Sequence, residues 1–434
     1  PYEKEIDEQG VELVDGEVDF PGRLAGIFER IKDLDLHGLP IPRELGGMNA
    51  PMLVYFLNSE LMARADVSAM AHHGFHAGIG MAALVFSALE GSTELDPSTG
   101  RIVKTRWREA IEEIAAGEAW GCMDITEPDA GSDMAALRAM GEQDADGNWF
   151  VTGEKIFITS GHGKYHFVIA RTEDTDPDDP MGGLNGLSMF LVKTYEDDES
   201  GKRHRIVQLS RVEEKLGHHG SATCGLVFDR APAELVGKRG EGFKYMLTLM
   251  NNARVGVGFE CLGLSESAYR TALEYAAERR SMGKSIDRHE MIAEYLETMK
   301  TEIQGVRAMA VSAAFHEEMA QKLSIELRYG DLDDADRRRL ERMQRSHTRK
   351  ARRITPLLKY FGAEKAVEHA RTALQIHGGN GYITEYLPEK LLRDALVMPI
   401  YEGTSQIQAL MAMKDTLGGI IKNPQAFVRR MAQA

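Results

Sequence analysis

The segment Pro399-Ile-Tyr-Glu-Gly-Thr-Ser-Gln-Ile-Gln408 closes one element and opens another. Pro399 lacks an N–H and fixes its own φ, so it ends what precedes it. Gly403 permits a backbone that other residues avoid. Thr404 and Ser405 are good N-caps, and Ser405 to Ile421 then reads as a helix, at least as far as Gly418. Glu402 therefore sits on a tight turn at the mouth of a helix. Its carboxylate can complement the helix dipole, which is the simpler role. With a glycine beside it, the carboxylate is equally placed to reach into a cavity as a base.

Helical periodicity extends back from this turn. Gly242 to Asn252, Val255 to Arg280, His289 to Arg328, Asp334 to Leu374 and Leu387 to Ala395 have apolar residues at helical spacing. They predict a bundle of antiparallel helices. Gln375-Ile-His-Gly-Gly-Asn-Gly381 would let a ligand approach the backbone, and Arg279-Arg-Ser-Met-Gly283 puts an arginine pair at a helix end, suited to phosphate. The run from Asp336 to Arg353 is strongly basic. The acids from Asp331 to Asp336 would cap it, so it reads as a solvated helix face.

Between about Ala119 and Asp229 the pattern is that of short strands and turns. Trp149 to Thr152, Lys155 to Thr159, His166 to Ala170, Leu187 to Lys193 and Cys224 to Phe228 are the strand runs, and Glu173 to Gly186 is a loop. No strand, glycine-rich turn and helix follow one another as in a dinucleotide-binding unit. Met123-Asp-Ile-Thr-Glu-Pro-Asp-Ala-Gly-Ser-Asp133 suits a loop donating N–H and O–H groups to a polar ring or phosphate. In Gly153-Glu-Lys-Ile-Phe-Ile-Thr-Ser-Gly161, Phe157 and Thr159 point to one face. Before Gly117 the chain reads as helical: Phe20 to Leu34, Met52 to Ala65, Ala69 to Leu89 and Trp107 to Ala116. His72 and His76 have i, i+4 spacing, but no ligand set accompanies them, so they read as ordinary helix or cavity histidines.

The 434 residues have room for two or three domains, and the net charge of −15 opposes general affinity for nucleic acid or anionic lipid. No run is long enough to span a membrane. Cys122, Cys224 and Cys261 are too scattered for a disulfide framework, which points to a reducing compartment. The chain starts at Pro1 without an initiating Met, so a preceding segment is expected.

Taken together, in this order and at this spacing, these motifs resemble the acyl-CoA dehydrogenase family of flavoproteins from about Leu36 to Lys414. The resemblance implies an α+β fold: an N-terminal helical domain (1–118), a middle β-barrel or sandwich domain (119–233) and a C-terminal four-helix bundle (234–434). It implies FAD as cofactor, an acyl-CoA substrate converted to the trans-2-enoyl-CoA, and electrons passed to an electron-transferring flavoprotein. It also implies a homodimer or homotetramer in fatty acid β-oxidation, in the cytoplasm or, in a eukaryote, the mitochondrial matrix. Carried over by motif, Glu402 is the base. Met123, Ile125, Thr126, Ser132, Phe157 and Thr159 surround the isoalloxazine. Arg279, Ser281 and Met282, with Gln375, Gly378 and Gly379, come from a neighbouring subunit, and Thr404 and Gln406 lie on the adenine side. Ser132, Ser221 and Arg254 touch the CoA arm, and Tyr401 and Gly403 complete the substrate site.

The sequence departs from the family at several points. Met123 stands where many members have Tyr, and Phe157 where Trp is common. Ala253 occupies the position at which some relatives carry the base, leaving Glu402 unopposed. Gln321 to Arg349 includes an insertion like that of larger members, whose extra C-terminal domain is not in this sequence; truncation at both ends is expected. An acyl-CoA oxidase returning electrons to oxygen, and a non-catalytic nucleic-acid-binding member, are the alternatives.

Overall fold

In the computed structural model, residues 2–174, 182–198 and 200–432 are described. The 175–181 part of the expected loop lies outside them. The helices are α1 (Glu3–Gln9), α2 (Gly22–Asp33), α3 (Met52–Ala65), α4 (Val67–Glu90), α5 (Arg108–Ala115), α6 (Gly242–Glu278), α7 (Glu290–Tyr329), α8 (Asp334–His377), α9 (Pro388–Ala395), α10 (Ser405–Lys422) and α11 (Pro424–Met431). Two compact units result: residues 1–51 with 66–253, and residues 52–65 with 254–434.

In the first unit the strands form a closed circuit. Thr223–Val236 pairs with Trp149–Thr159, which pairs with Met140–Gln143, then Tyr165–Arg171, then Leu187–Lys193, which returns to Thr223–Val236. Each strand of the circuit is thereby paired on both sides. It depends on the 14-residue strand Thr223–Val236, whose register shifts between Cys224 and Leu226 and again between Phe228 and Ala231. Such bulges bend a strand, here far enough for its two ends to serve different partners. Val207–Val212 flanks this strand, and Gly121–Asp124 runs parallel to Tyr165–Arg171. Ile79, Phe86, Ile111, Ile114 and Phe167 belong to its core.

Helix α4 starts at Asp66, whose side chain accepts from the Ala69 N–H, and ends at Gly91 with φ 88°. These are ordinary capping devices. Five short strands of the middle region escape the sequence reading: Gly121–Asp124, Met140–Gln143, Val207–Val212, and the hairpin of Tyr195–Asp197 with Arg203–Arg205. Gly121–Asp124 is buried throughout, Met140–Gln143 is short and polar, and Val207–Val212 alternates only until its register shifts between Leu209 and Arg211. Two small hairpins also interrupt the expected helical N-terminal region.

The second unit is helical. Helices α7 and α8 run 40 and 44 residues, and α8 begins where Asp333 accepts from the Ala335 and Asp336 N–H groups. That cap agrees with the acidic start expected for the basic run, whose Arg338, Arg342, Arg345 and Arg349 are exposed. Gly263 of α6 lies so close to α3 that a Cβ there would meet Ala63 and the Glu60 carbonyl at 2.5 Å. The sequence predicts a break near Asn252. Instead α6 runs unbroken for 37 residues, because packing overrides the weak helix preference of asparagine. No helix among the described residues is long and apolar enough to cross a membrane. All three cysteines are free and buried.

Candidate active site

Glu402 lies in the second unit, on the turn between α9 and α10. Its φ is 53° and that of Gly403 is 88°. A left-handed glutamate is strained, on the order of 1 kcal/mol, and persists only where its surroundings fix it. Several contacts do so. The buried Lys359 donates from Nζ to the carbonyl oxygens of Met398 (2.7 Å) and Gly403 (2.8 Å), at the two ends of the turn. Gln408 Nε2 and Arg254 Nε both donate to the Glu402 carbonyl, at 3.1 and 3.4 Å. The Ser405 N–H reaches back to Pro399 O at 2.8 Å, and the Ser405 hydroxyl donates to Glu364 at 2.6 Å. Thr404 caps α10 through the Ile407 N–H, as its sequence predicts.

The base candidate itself is held loosely. Glu402 Oε2 is buried and has no hydrogen-bond partner. Burial raises its pKa, and the charges of Arg254 and Lys359 pull it back. A desolvated carboxylate kept ionisable by nearby cations is what proton abstraction from a weak carbon acid requires. Burial lowers the Lys359 pKa to about 8. One more carboxyl faces this turn: Glu260 of α6, buried, accepts the Tyr401 hydroxyl.

Arg279, Ser281, Met282, Gln375, Gly378, Gly379 and Gln406, also singled out in this unit, are surface groups. Arg279 follows α6, and Ser281 and Met282 lie on the hairpin Arg280–Ser285, with Met282 at φ 48° and 92% exposed. Gln375 lies in the last turn of α8, and Gly378 (φ 59°) and Gly379 have open space beside them. Gln406 is exposed on the first turn of α10. Arg254 is buried and engages the turn.

The first unit carries its own set. Lys155 is fully buried, pairs with Glu127 at 2.8 Å and donates to the Ile125 carbonyl at 2.9 Å. The sequence reading gave Lys155 no such place; the ion pair is what draws it inward and breaks the alternation of its strand. Glu127 also accepts the Arg138 and Ala139 N–H groups, and Ile156 N–H donates to Thr126 O. The Ile125–Thr126 backbone is thereby fixed. Phe157, at φ 60°, stands 60% exposed, while Thr159 is half-buried. Met123 and Ser221 are buried and Ser132 is exposed.

Sequence reasoning missed Lys359, Glu260, Gln408 and Lys155. A signal existed for two of them. Glu260 is a lone acid in the apolar run Val255 to Leu264, and Lys359 falls at a core position of α8 beside Thr355, Leu358 and Gly362.

Models of the acyl-CoA dehydrogenase N-terminal, middle and C-terminal domains match residues 2–91, 122–231, and 240–327 with 337–417. The chain belongs to the acyl-CoA dehydrogenase family and is an oxidoreductase. It is 32% identical to 3-methylmercaptopropionyl-CoA dehydrogenase of Ruegeria pomeroyi, over 98% of this chain and 69% of that protein. It is 30% identical to an acyl-CoA dehydrogenase of Bacillus subtilis, over 90% of each. The structure of an acyl-CoA dehydrogenase complexed with FAD from Bacillus anthracis superimposes with a TM-score of 0.75 at 23% identity, covering 95% of this chain and 64% of that one.

Proposed function

We propose that this protein dehydrogenates an acyl-CoA thioester to the trans-2-enoyl-CoA, with Glu402 as the base and FAD as cofactor. One observation carries the reading: a buried carboxylate oxygen with no partner, on a left-handed turn whose backbone is fixed from both ends. The strain at Glu402 and its unsatisfied oxygen make sense if a substrate hydrogen completes the site.

The residues present fit a flavin. Phe157 is a large aromatic side chain held exposed on a left-handed backbone, as a face for a flat ring would be. Ile125 and Thr126 would line the isoalloxazine with Met123 and Thr159. Arg279, Ser281, Met282, Gln375, Gly378 and Gly379 would take the pyrophosphate and adenylate of a neighbouring subunit's FAD, with Thr404 and Gln406 at the adenine. When bound, FAD accepts the β-hydride at N5. The chain's own part is to take the α-proton on Glu402, to donate the Glu402 N–H to the thioester oxygen, and to exclude water. Reduced FAD would then hand its electrons to an electron-transferring flavoprotein. A panel of acyl-CoA substrates with an artificial electron acceptor tests this. Turnover of one or more by the wild type, lost in Glu402→Gln, is expected; no turnover of any substrate overturns it. Added electron-transferring flavoprotein against oxygen alone separates dehydrogenase from oxidase.

A further inference from the structure

Glu260 is a carboxyl in the wrong place for solvent. It sits 3% exposed on α6, inside an apolar run, and its Oε1 has no hydrogen-bond partner. Its other oxygen accepts the hydroxyl of Tyr401, the residue that precedes the candidate base. The ties from Lys359, Gln408 and Arg254 all end on backbone carbonyls of the turn. Two hydroxyls of the turn reach side chains: Ser405 on the far side, to Glu364, and Tyr401, to Glu260; of the two, Tyr401 immediately precedes the left-handed Glu402.

From this geometry we infer that Glu260 is a positioning residue for proton abstraction: through the Tyr401 hydroxyl it holds the turn that aims Glu402. The inference rests on the proposed dehydrogenation. Burial raises the Glu260 pKa to about 8, so at neutral pH the group is a neutral acid. It works here as a hydrogen-bond acceptor and a fixed post, without exchanging protons with the substrate. That distinction gives the test its edge, because glutamine reproduces a neutral carboxylic acid in shape and keeps an acceptor oxygen.

The experiment compares Glu260→Gln, Glu260→Ala, Tyr401→Phe and the double variant Tyr401→Phe/Glu260→Ala as flavin-loaded proteins. Two readouts are taken: steady-state turnover, and hydrogen–deuterium exchange of residues 398–408. Glu260→Ala and Tyr401→Phe should each lower kcat by about 10-fold to 100-fold, the range for a misplaced reacting group. KM should change by less than about threefold, since substrate contacts remain. Both variants should exchange faster in 398–408 and nowhere else. The double variant should be no worse than the poorer single, since both remove one link. Glu260→Gln should restore kcat and protection. Tyr401→Phe removes one hydroxyl, so it decides the matter even if Glu260→Ala does not fold. Unchanged kcat and exchange in Tyr401→Phe overturn the inference, and so does a Glu260→Gln as impaired as Glu260→Ala. If the wild type turns over no acyl-CoA, the dehydrogenase reading fails while exchange still decides whether Glu260 holds the turn.

Discussion

Arg254 meets Glu402 through the main chain: its Nε donates to the Glu402 carbonyl at 3.4 Å, while the carboxylate Oε2 stays unpartnered. The cation thus supports the turn and tempers the carboxylate without a hydrogen bond to that oxygen. Glu402→Gln keeps the size and loses the basicity. Flavin content should be unchanged, and flavin bleaching by substrate should slow by about a thousandfold. Bleaching at the wild-type rate would remove Glu402 from the mechanism.

The pH dependence has a definite sign. Burial raises the Glu402 pKa, and the base works only when ionised. The reductive rate should rise with pH, with its midpoint above the ordinary carboxylate range. A flat profile down to pH 4.5 would show a base with no such shift.

Lys359→Met removes both donors from the Met398 and Gly403 carbonyls while filling the space. Unfolding in urea should come about 2 kcal/mol easier, the order expected for buried acceptors left unmet. Turnover should fall further than stability, because the turn carries the base. A variant as stable and active as the wild type would mean that water replaces the amine.

Five imidazoles make the first unit acid-sensitive. His72 is fixed as a neutral ring: Ala222 N–H donates to its Nε2, leaving Nδ1 to donate to Ser160 at 2.7 Å. His37, His76 and His162 pack with His72 around Trp120, and His73 packs against His37. Burial lowers His37 to about 4, His73 and His162 to about 3, and His72 and His76 well below the usual value. The folded state refuses protons that the unfolded chain accepts below about pH 6.5. Stability is therefore full above that pH and lost as pH falls, at up to about 1.4 kcal/mol per histidine per pH unit. Melting temperature should drop steeply between pH 6.5 and 5. A level melting curve across that window would contradict the burial of these rings.

The exposed arginines of α8 should matter little to chemistry. Replacing Arg338, Arg342 and Arg345 by Gln should leave turnover within about twofold, because solvated charges contribute little. Tight, steeply salt-dependent DNA binding by the wild type, lost in this variant, would be the contrary result.

The Glu402 turn was legible because proline, glycine and threonine announce it within a few residues of each other. Helix identities were legible for the same local reason. What holds the turn was not. Lys359 and Glu260 belong to α8 and α6, and their meeting with residues 398–403 depends on packing across about 40 to 140 positions of sequence, which no local pattern encodes. A middle barrel or sandwich is expected only from the resemblance; the residues that close the strand circuit are not legible locally, because closure depends on bulges in Thr223–Val236 that only its partners reveal.

The burial of Cys122, Cys224 and Cys261 bears on how the enzyme ages. Burial pushes the Cys224 thiol up to about 12, and the other two are raised as well. A thiol reacts with peroxide or an alkylating reagent through its thiolate, so these three are chemically silent while the fold is intact. Peroxide formed when a reduced flavin leaks electrons to oxygen would find no reactive sulfur at any of the three in the native protein. Their modification therefore keeps time with unfolding: each labelled cysteine records a molecule that has opened.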